Sequence, residues 1–306
     1  MPTYGWILII VGILLFISCL FGLVVAFGMT KPKRRSLLDT SINEENLNPG
    51  VMDFYKKNKT KEYDVKSSFG YDLRAYYFKN KVESNKYVVM AHGHTYTHHG
   101  CAKYARMMMN HGYNIILFDE RFHGNSGGNF TSLGHLEKTD LDAVITDTFK
   151  RFGPDIYLGT YGESMGAVTV LLEAEFDKRI KFIISDCGFS NLDILMDEIL
   201  KNVYHIPKYP FKFLGNVFFR LITGSKFSGI SPIKALNTID VPILFVHGKS
   251  DNFISYSHAE RMYDFYQGPK KIFIAGNESF HAGSYSRDTE NYEKNVSDFL
   301  GEFVKE

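Results

Sequence analysis

Three side chains far apart in the chain have the types that together make an alcohol reactive. Ser164 lies in Gly162-Glu163-Ser164-Met165-Gly166, after the apolar run at 155–161 and before the helix-like stretch at 167–174. A serine on so tight a strand-to-helix turn needs neighbours that nearly lack side chains, and Gly162 and Gly166 meet that need. Its hydroxyl is a weak nucleophile at neutral pH unless an imidazole takes the proton and a carboxylate orients the imidazole. Asp251 follows the apolar run at 242–246, and His281 follows the one at 271–275. Nucleophile, acid, base is the chain order expected of a nucleophile elbow. Of 11 histidines, His281 is the one beyond the last apolar run. Plainer roles exist for each. Ser164 could cap a structural turn, Asp251 could cap a helix starting near Ser255, and His281 could be an ordinary loop residue. Asp186 is a second carboxylate at a strand end.

Acyl chemistry also needs donors for a developing oxyanion. The backbone N–H of Met165, at the start of the elbow helix, is one candidate. The other is the N–H of His94, in His92-Gly93-His94-Thr95 after the run at 87–91, where Gly93 lets the backbone turn sharply. The same segment continues to His98-His99 and invites a zinc reading. It lacks a carboxylate, and no matching His/Asp cluster appears downstream, so neither metal nor cofactor is expected. Asp119 and Arg121, in the next post-strand loop, are read as braces of that loop.

The elements that must position these residues follow from the apolar runs. A hairpin is expected over 62–67 and 72–78. Runs near 87–91, 113–118, 156–158, 180–184, 242–246 and 271–275 then alternate with amphipathic stretches. Short runs without period-two alternation, separated by helices, predict parallel strands buried on both faces. The fold class is therefore α/β, a doubly wound, mostly parallel sheet whose ligands bind beyond the carboxyl ends of the strands. About fifty residues separate the runs at 180–184 and 242–246, more than one crossover needs. This interval, about 189–237, interleaves aromatics with lysines and is read as a helical lid. The plainer reading is a small subdomain packed on the sheet.

With 306 residues, 44% hydrophobic, the chain can bury a large core, and its net charge of +1 argues against a nucleic-acid partner. Its 3 cysteines, Cys19, Cys101 and Cys187, fall in apolar or helical contexts and suggest no disulfide framework. Residues 4–29 carry no charge, with Tyr4 and Trp6 at one end and Lys31, Lys33, Arg34 and Arg35 beyond the other. That is enough for one transmembrane helix. A signal peptide would put its charge first and keep the apolar run shorter. The trailing positive charges predict a single-pass anchor in the cell membrane with the large domain in the cytoplasm, the opposite orientation being the alternative. The expected division is an anchor at 4–29, a basic juxtamembrane segment and linker at 30–60, and the main domain at 61–306.

From about residue 63 onward the chain resembles the α/β-hydrolase superfamily, in its serine aminopeptidase-like and lysophospholipase- or monoacylglycerol lipase-like branch. The residues that carry the likeness are His92-Gly93-His94, Asp119-x-Arg121-x-His123-Gly124-x-Ser126, the Ser164 pentapeptide, His247-Gly248-x-x-Asp251 and His281. The membrane segment departs from the usual pattern, as does Phe122, where many relatives have Gly. The resemblance implies a cofactor-free serine hydrolase acting through an acyl-enzyme. The apolar anchor and aromatic lid favour a small-molecule carboxylic ester, including a lipid or acylglycerol ester. The alternatives are a serine aminopeptidase or amidase, for which Asp193, Asp197 and Glu198 are the available lid carboxylates, and a non-catalytic binding protein on the same fold.

Overall fold

The computed structural model describes residues 3–304, so positions 305–306 of the expected main domain lie outside the described residues. Among these residues one sheet has eight strands: β1 (Lys61–Lys66), β2 (Asp72–Phe78), β3 (Lys86–Ala91), β4 (Asn114–Phe118), β5 (Tyr157–Glu163), β6 (Ile183–Asp186), β7 (Ile243–Gly248) and β8 (Lys270–Ala275). Their order is β1-β2-β4-β3-β5-β6-β7-β8. β1 and β2 form the hairpin, β2 pairs antiparallel with β4, and all further pairs are parallel.

The apolar runs become strands because both of their faces are covered. Along β3, Val88 and Met90 enter one core while Val89 and Ala91 enter the other, and Ile115 and Ile116 of β4 divide the same way. Helices α1 (Thr3–Thr30), α2 (Leu37–Leu47) and α3 (Val51–Asn58) precede the sheet, and α4 (Ala102–Asn110), α5 (Glu137–Phe152) and α6 (Met165–Glu173) lie between its first strands. The long insertion holds α7 (Leu192–Asn202), α8 (Phe211–Thr223) and α9 (Pro232–Ala235). The chain ends with α10 (Ser257–Phe265), α11 (Ser284–Arg287) and α12 (Thr289–Phe303). One core joins the sheet to α3, α4 and α12, the other to α5, α6, α7 and α10.

The polar segment at 36–58, read as a linker with some helix, forms two ordered helices. Ser36 opens α2 with a capping box, its Oγ accepting from the Asp39 N–H at 3.0 Å while Asp39 accepts from the Ser36 N–H. β6 starts at Ile183, three residues later than the apolar run suggests. Ile180 and Phe182 are buried without belonging to the strand.

Helix α1 has 28 residues, enough by length and composition to cross a bilayer, and most of its first five turns are exposed. Its last turns pack on α8. A Cβ on Gly22 would lie 2.7 Å from Leu214 Cβ and 2.9 Å from the Leu214 carbonyl carbon. Phe21 meets Phe211 edge to face, centroids 4.9 Å apart. Glycine is required at position 22 because the two backbones approach so closely.

Candidate active site

The turn between β5 and α6 is as tight as the pentapeptide predicts. Ser164 has φ 55° and ψ −113°, a conformation that few side-chain-bearing residues adopt. A Cβ on Gly162 would lie 2.2 Å from the Gly166 carbonyl oxygen, and one on Gly166 would lie 2.0 Å from that of Ala91. The Ser164 N–H donates to the Asp186 carbonyl at 2.8 Å, tying the turn to the end of β6.

The structure brings Ser164, His281 and Asp251 together from the ends of three strands. Ser164 Oγ is 2.8 Å from His281 Nε2, and His281 Nδ1 is 2.7 Å from Asp251 Oδ2. A carboxylate only accepts, so the proton sits on Nδ1 and Nε2 is free to accept from the serine hydroxyl. Asp251 Oδ1 accepts the N–H groups of Phe253 (2.9 Å) and Ile254 (2.8 Å), and His247 Nε2 lies 3.2 Å from Oδ2. Burial pushes the Asp251 pKa up, but the hydrogen bonds and charges of His247 and His281 outweigh it and hold the carboxyl below its ordinary range. Asp186 stands elsewhere. Its Oδ2 accepts from Tyr292 (2.7 Å) and Tyr104 (3.1 Å), and burial pushes its pKa up to about 6.

Met165 is the first residue of α6, so its N–H has no intrahelical acceptor. The loop carrying His94 runs alongside, since a Cβ on Gly93 would be 3.5 Å from Ser164 Cβ. The four histidines of this loop turn to separate partners. His92 Nε2 accepts from the Glu120 N–H at 3.0 Å, and His98 Nδ1 bonds Asp119 at 2.7 Å. His99 Nδ1 lies 3.2 Å from Thr40 Oγ1, and His94 Nε2 donates to the Met29 carbonyl at 3.0 Å. Burial lowers the pKa of His92, His94 and His99, to about 4 for His99. His123 accepts the Thr95 N–H on Nε2 (3.0 Å) and donates from Nδ1 to the Arg121 carbonyl (2.8 Å), bracing the His94 loop from below.

Two chambers meet at Ser164. The first, of about 450 Å³, is lined by apolar side chains of α7, by the last turns of α1, and by His94, Met165 and Phe253. The second, of about 370 Å³, is the more polar of the two, with Arg35, Asn43, Glu44, Tyr96 and Lys103 in its wall beside His281. Behind the serine, Lys103 Nζ bonds Glu163 Oε2 at 2.8 Å and lies 3.7 Å from Glu44 Oε2. Tyr104 donates to Glu163 at 2.6 Å, and Tyr96 donates to Glu44 at 2.9 Å. Burial alone would lower the Lys103 pKa, but the two carboxylates raise it further, so the ammonium is kept. Burial raises the Glu44 pKa in turn.

Sequence reasoning missed the buried Lys103 group and the contribution of α1, and it named His247 without giving it a role. For His247 a signal existed, in the His-Gly-x-x-Asp spacing that lets the chain turn back at the end of β7 and bring the two side chains within 3.2 Å. For Lys103 none did, because its partners at positions 44 and 163 are distant in the chain.

The insertion carboxylates are occupied. Asp193 and Asp197 each lie 2.8 Å from Lys212 Nζ, Asp197 also pairs with Lys208, and Glu198 binds His258 and Arg261.

The family described as serine aminopeptidase, S33, matches residues 82–189. A protein of Bacillus subtilis strain 168, YqkD, itself described as uncharacterized, is 31% identical over 296 residues, which cover 96% of each chain. The esterase Pf2001 of Pyrococcus furiosus superposes with a TM-score of 0.65 at 20% identity, covering 86% of this chain and 96% of the esterase. The acylaminoacyl peptidase of Pyrococcus horikoshii gives a TM-score of 0.61 at 20% identity, over 83% of this chain and 43% of the peptidase. At these identities the two solved structures speak to the fold alone. With its doubly wound sheet, the serine aminopeptidase match and a near full-length relative, the chain belongs to the α/β-hydrolase superfamily, in its serine aminopeptidase-like branch.

Proposed function

We propose that this hydrolase is a membrane-anchored serine esterase that cleaves carboxylic esters with an apolar acyl part through an acyl-enzyme. The observation that carries the reading is the hydrogen-bonded chain Ser164–His281–Asp251 at the mouth of an apolar chamber. Ser164 Oγ attacks the acyl carbonyl as His281 Nε2 takes its proton. The carbonyl electrons move onto oxygen, which receives the N–H groups of His94 and Met165. Collapse of this intermediate breaks the bond to the alcohol, and His281 returns the proton to that leaving oxygen. Water then enters, loses a proton to His281, and releases the acid and Ser164. Asp251 fixes the tautomer and stabilises the imidazolium throughout. The trailing positive charges Lys31, Lys33, Arg34 and Arg35 favour a cytoplasmic catalytic domain.

An aminopeptidase needs an unengaged carboxylate for the substrate ammonium. Asp193, Asp197 and Glu198 are each paired with a cation or imidazole, which favours the ester over the amide. A fluorophosphonate probe tests the nucleophile: the parent should label and Ser164→Ala should not, and equal labelling of both removes Ser164 from the mechanism. p-Nitrophenyl esters run beside aminoacyl anilides test the substrate class. Faster anilide turnover overturns the ester assignment. Protease accessibility on intact cells tests the orientation, and digestion of the large domain from outside refutes the cytoplasmic placement.

A further inference from the structure

We infer that the last turns of the N-terminal helix are part of the substrate site: Phe21, Val24, Val25, Gly28 and Met29 form one wall of the subsite that holds the acyl chain. The inference rests on the reading of Ser164 as nucleophile and adds a specificity element outside the globular domain.

The first observation is the cavity itself. The apolar chamber of about 450 Å³ has Ser164 and Met165 at one end, side chains of α7 such as Leu195 and Met196 along one side, and these five residues of α1 along another. Positions 21, 24, 25, 28 and 29 are spaced i, i+3, i+4, i+7 and i+8, so they share one face of the helix. An acyl chain whose carbonyl sits at Ser164 Oγ has this chamber as its apolar neighbour. Across the serine, the polar chamber with Arg35, Glu44 and Tyr96 is open to an alcohol leaving group.

A second, independent set of contacts fixes that wall. On the adjacent face Gly22 lies directly on the Leu214 backbone, and Gly215 of α8 approaches Val25, whose Cγ1 would be 3.7 Å from a Cβ there. The end of α1 is tied to the loops around the serine. Met29 accepts from His94 Nε2 (3.0 Å), Thr30 accepts from the Thr131 N–H (2.8 Å), and the Arg35 N–H donates to Thr95 (2.9 Å). His94 is also the residue whose N–H is assigned to the oxyanion. The helix is thus held against the site as a wall, not trailed behind it as a tether.

With α1 read as a membrane anchor, this wall lies toward the level of the lipid headgroups. Residues 4–17 precede the first buried residue of the helix, Ser18, and span roughly 21 Å at 1.5 Å per residue, the larger part of the ~30 Å of bilayer hydrocarbon. On α8, Leu221 and Phe213 are 76% and 59% exposed, apolar side chains suited to an interfacial position. An acyl chain drawn from the membrane therefore meets the chamber between α1 and the insertion.

The test uses the full chain in nanodiscs and a series of p-nitrophenyl esters from acetate to dodecanoate. A Cβ on Gly28 meets nothing within 4 Å, so the ring in Gly28→Phe is free to enter the chamber. Gly28→Phe is expected to lower the dodecanoate-to-acetate ratio of kcat/KM at least tenfold. Val24→Trp is expected to act in the same direction, and serves if the glycine variant does not fold. Leu8→Trp, on the exposed part of the same helix, should leave the ratio within twofold. If the parent labels with fluorophosphonate and both wall variants keep the parent ratio within twofold, the helix assignment is overturned while the nucleophile stands. A parent inert to probe and esters overturns the nucleophile and this inference with it.

Discussion

Asp251→Asn isolates the part of the proposed mechanism that rests most directly on geometry. Asp251 Oδ1 accepts two backbone N–H groups, from Phe253 and Ile254, while Oδ2 faces the ring nitrogens of His281 and His247. An asparagine must keep its carbonyl oxygen on the backbone pair, because its NH₂ cannot accept there. The NH₂ is then forced toward His281 Nδ1, which can meet it only as an acceptor. The imidazole proton moves to Nε2, and the nitrogen 2.8 Å from Ser164 Oγ becomes a donor unable to take the serine proton. The corresponding substitution in serine proteases costs about 10⁴ in kcat, or about 5.5 kcal/mol at 1.36 kcal/mol per decade. A fall of that order is expected here, measured as kcat on a short p-nitrophenyl ester. Because the two backbone bonds are retained, the melting temperature should stay within a few degrees of the parent. Retention of a tenth or more of the parent kcat, in a variant that melts normally, refutes the tautomer argument.

Further expectations come from particular contacts. His94→Ala keeps the backbone N–H but removes its tie to Met29; kcat should fall tenfold or more, since small misplacements near reacting atoms are costly, and steady-state kinetics at saturating ester reads it. Gly166→Ala drives a methyl into the Ala91 carbonyl, so soluble expression and thermal melting should both collapse. Lys103→Met leaves Glu163 and Glu44 buried without their cation, a loss of about 3–5 kcal/mol in chemical denaturation. Asp186 has its pKa raised to about 6 by burial, from 3.8. Between those values the folded chain binds more protons than the unfolded one, so this group's contribution to stability declines as pH rises from about 4 to about 6. Asp186→Asn should flatten that decline by about 2 kcal/mol, read from melting curves at pH 4.5 and 7.

The sheet was legible because each parallel strand is buried on both faces and so is apolar along its whole length. The residues just past those runs are polar for a reason, and Ser164, Asp251 and His281 stand there. Other features lay beyond a one-dimensional reading. Lys103 meets Glu44 and Glu163 only after α2, α4 and β5 are folded together, and nothing at those positions marks them as partners. In α1 the obstacle is different. Periodicity reveals a working face only against a contrasting one, and a helix apolar on every side conceals which residues look into the site. The residues at 36–58 read as a linker because Asn recurs there, beside the Pro49-Gly50 pair. Several of those polar residues turn out to cap α2 and, in Asn43 and Glu44, to line the polar chamber.

The glycine contact at position 22 has one more consequence. A lone spanning helix adapts to a thinner or thicker bilayer by leaning; under the proposed anchoring, α1 would span while clamped along α8 and pinned at its end by His94. Leaning would then carry the whole globular body with it, swinging the chamber mouth toward or away from the lipid surface. Turnover of a long-chain ester should accordingly vary with the acyl length of the host lipid, turning bilayer thickness into a control on supply of substrate.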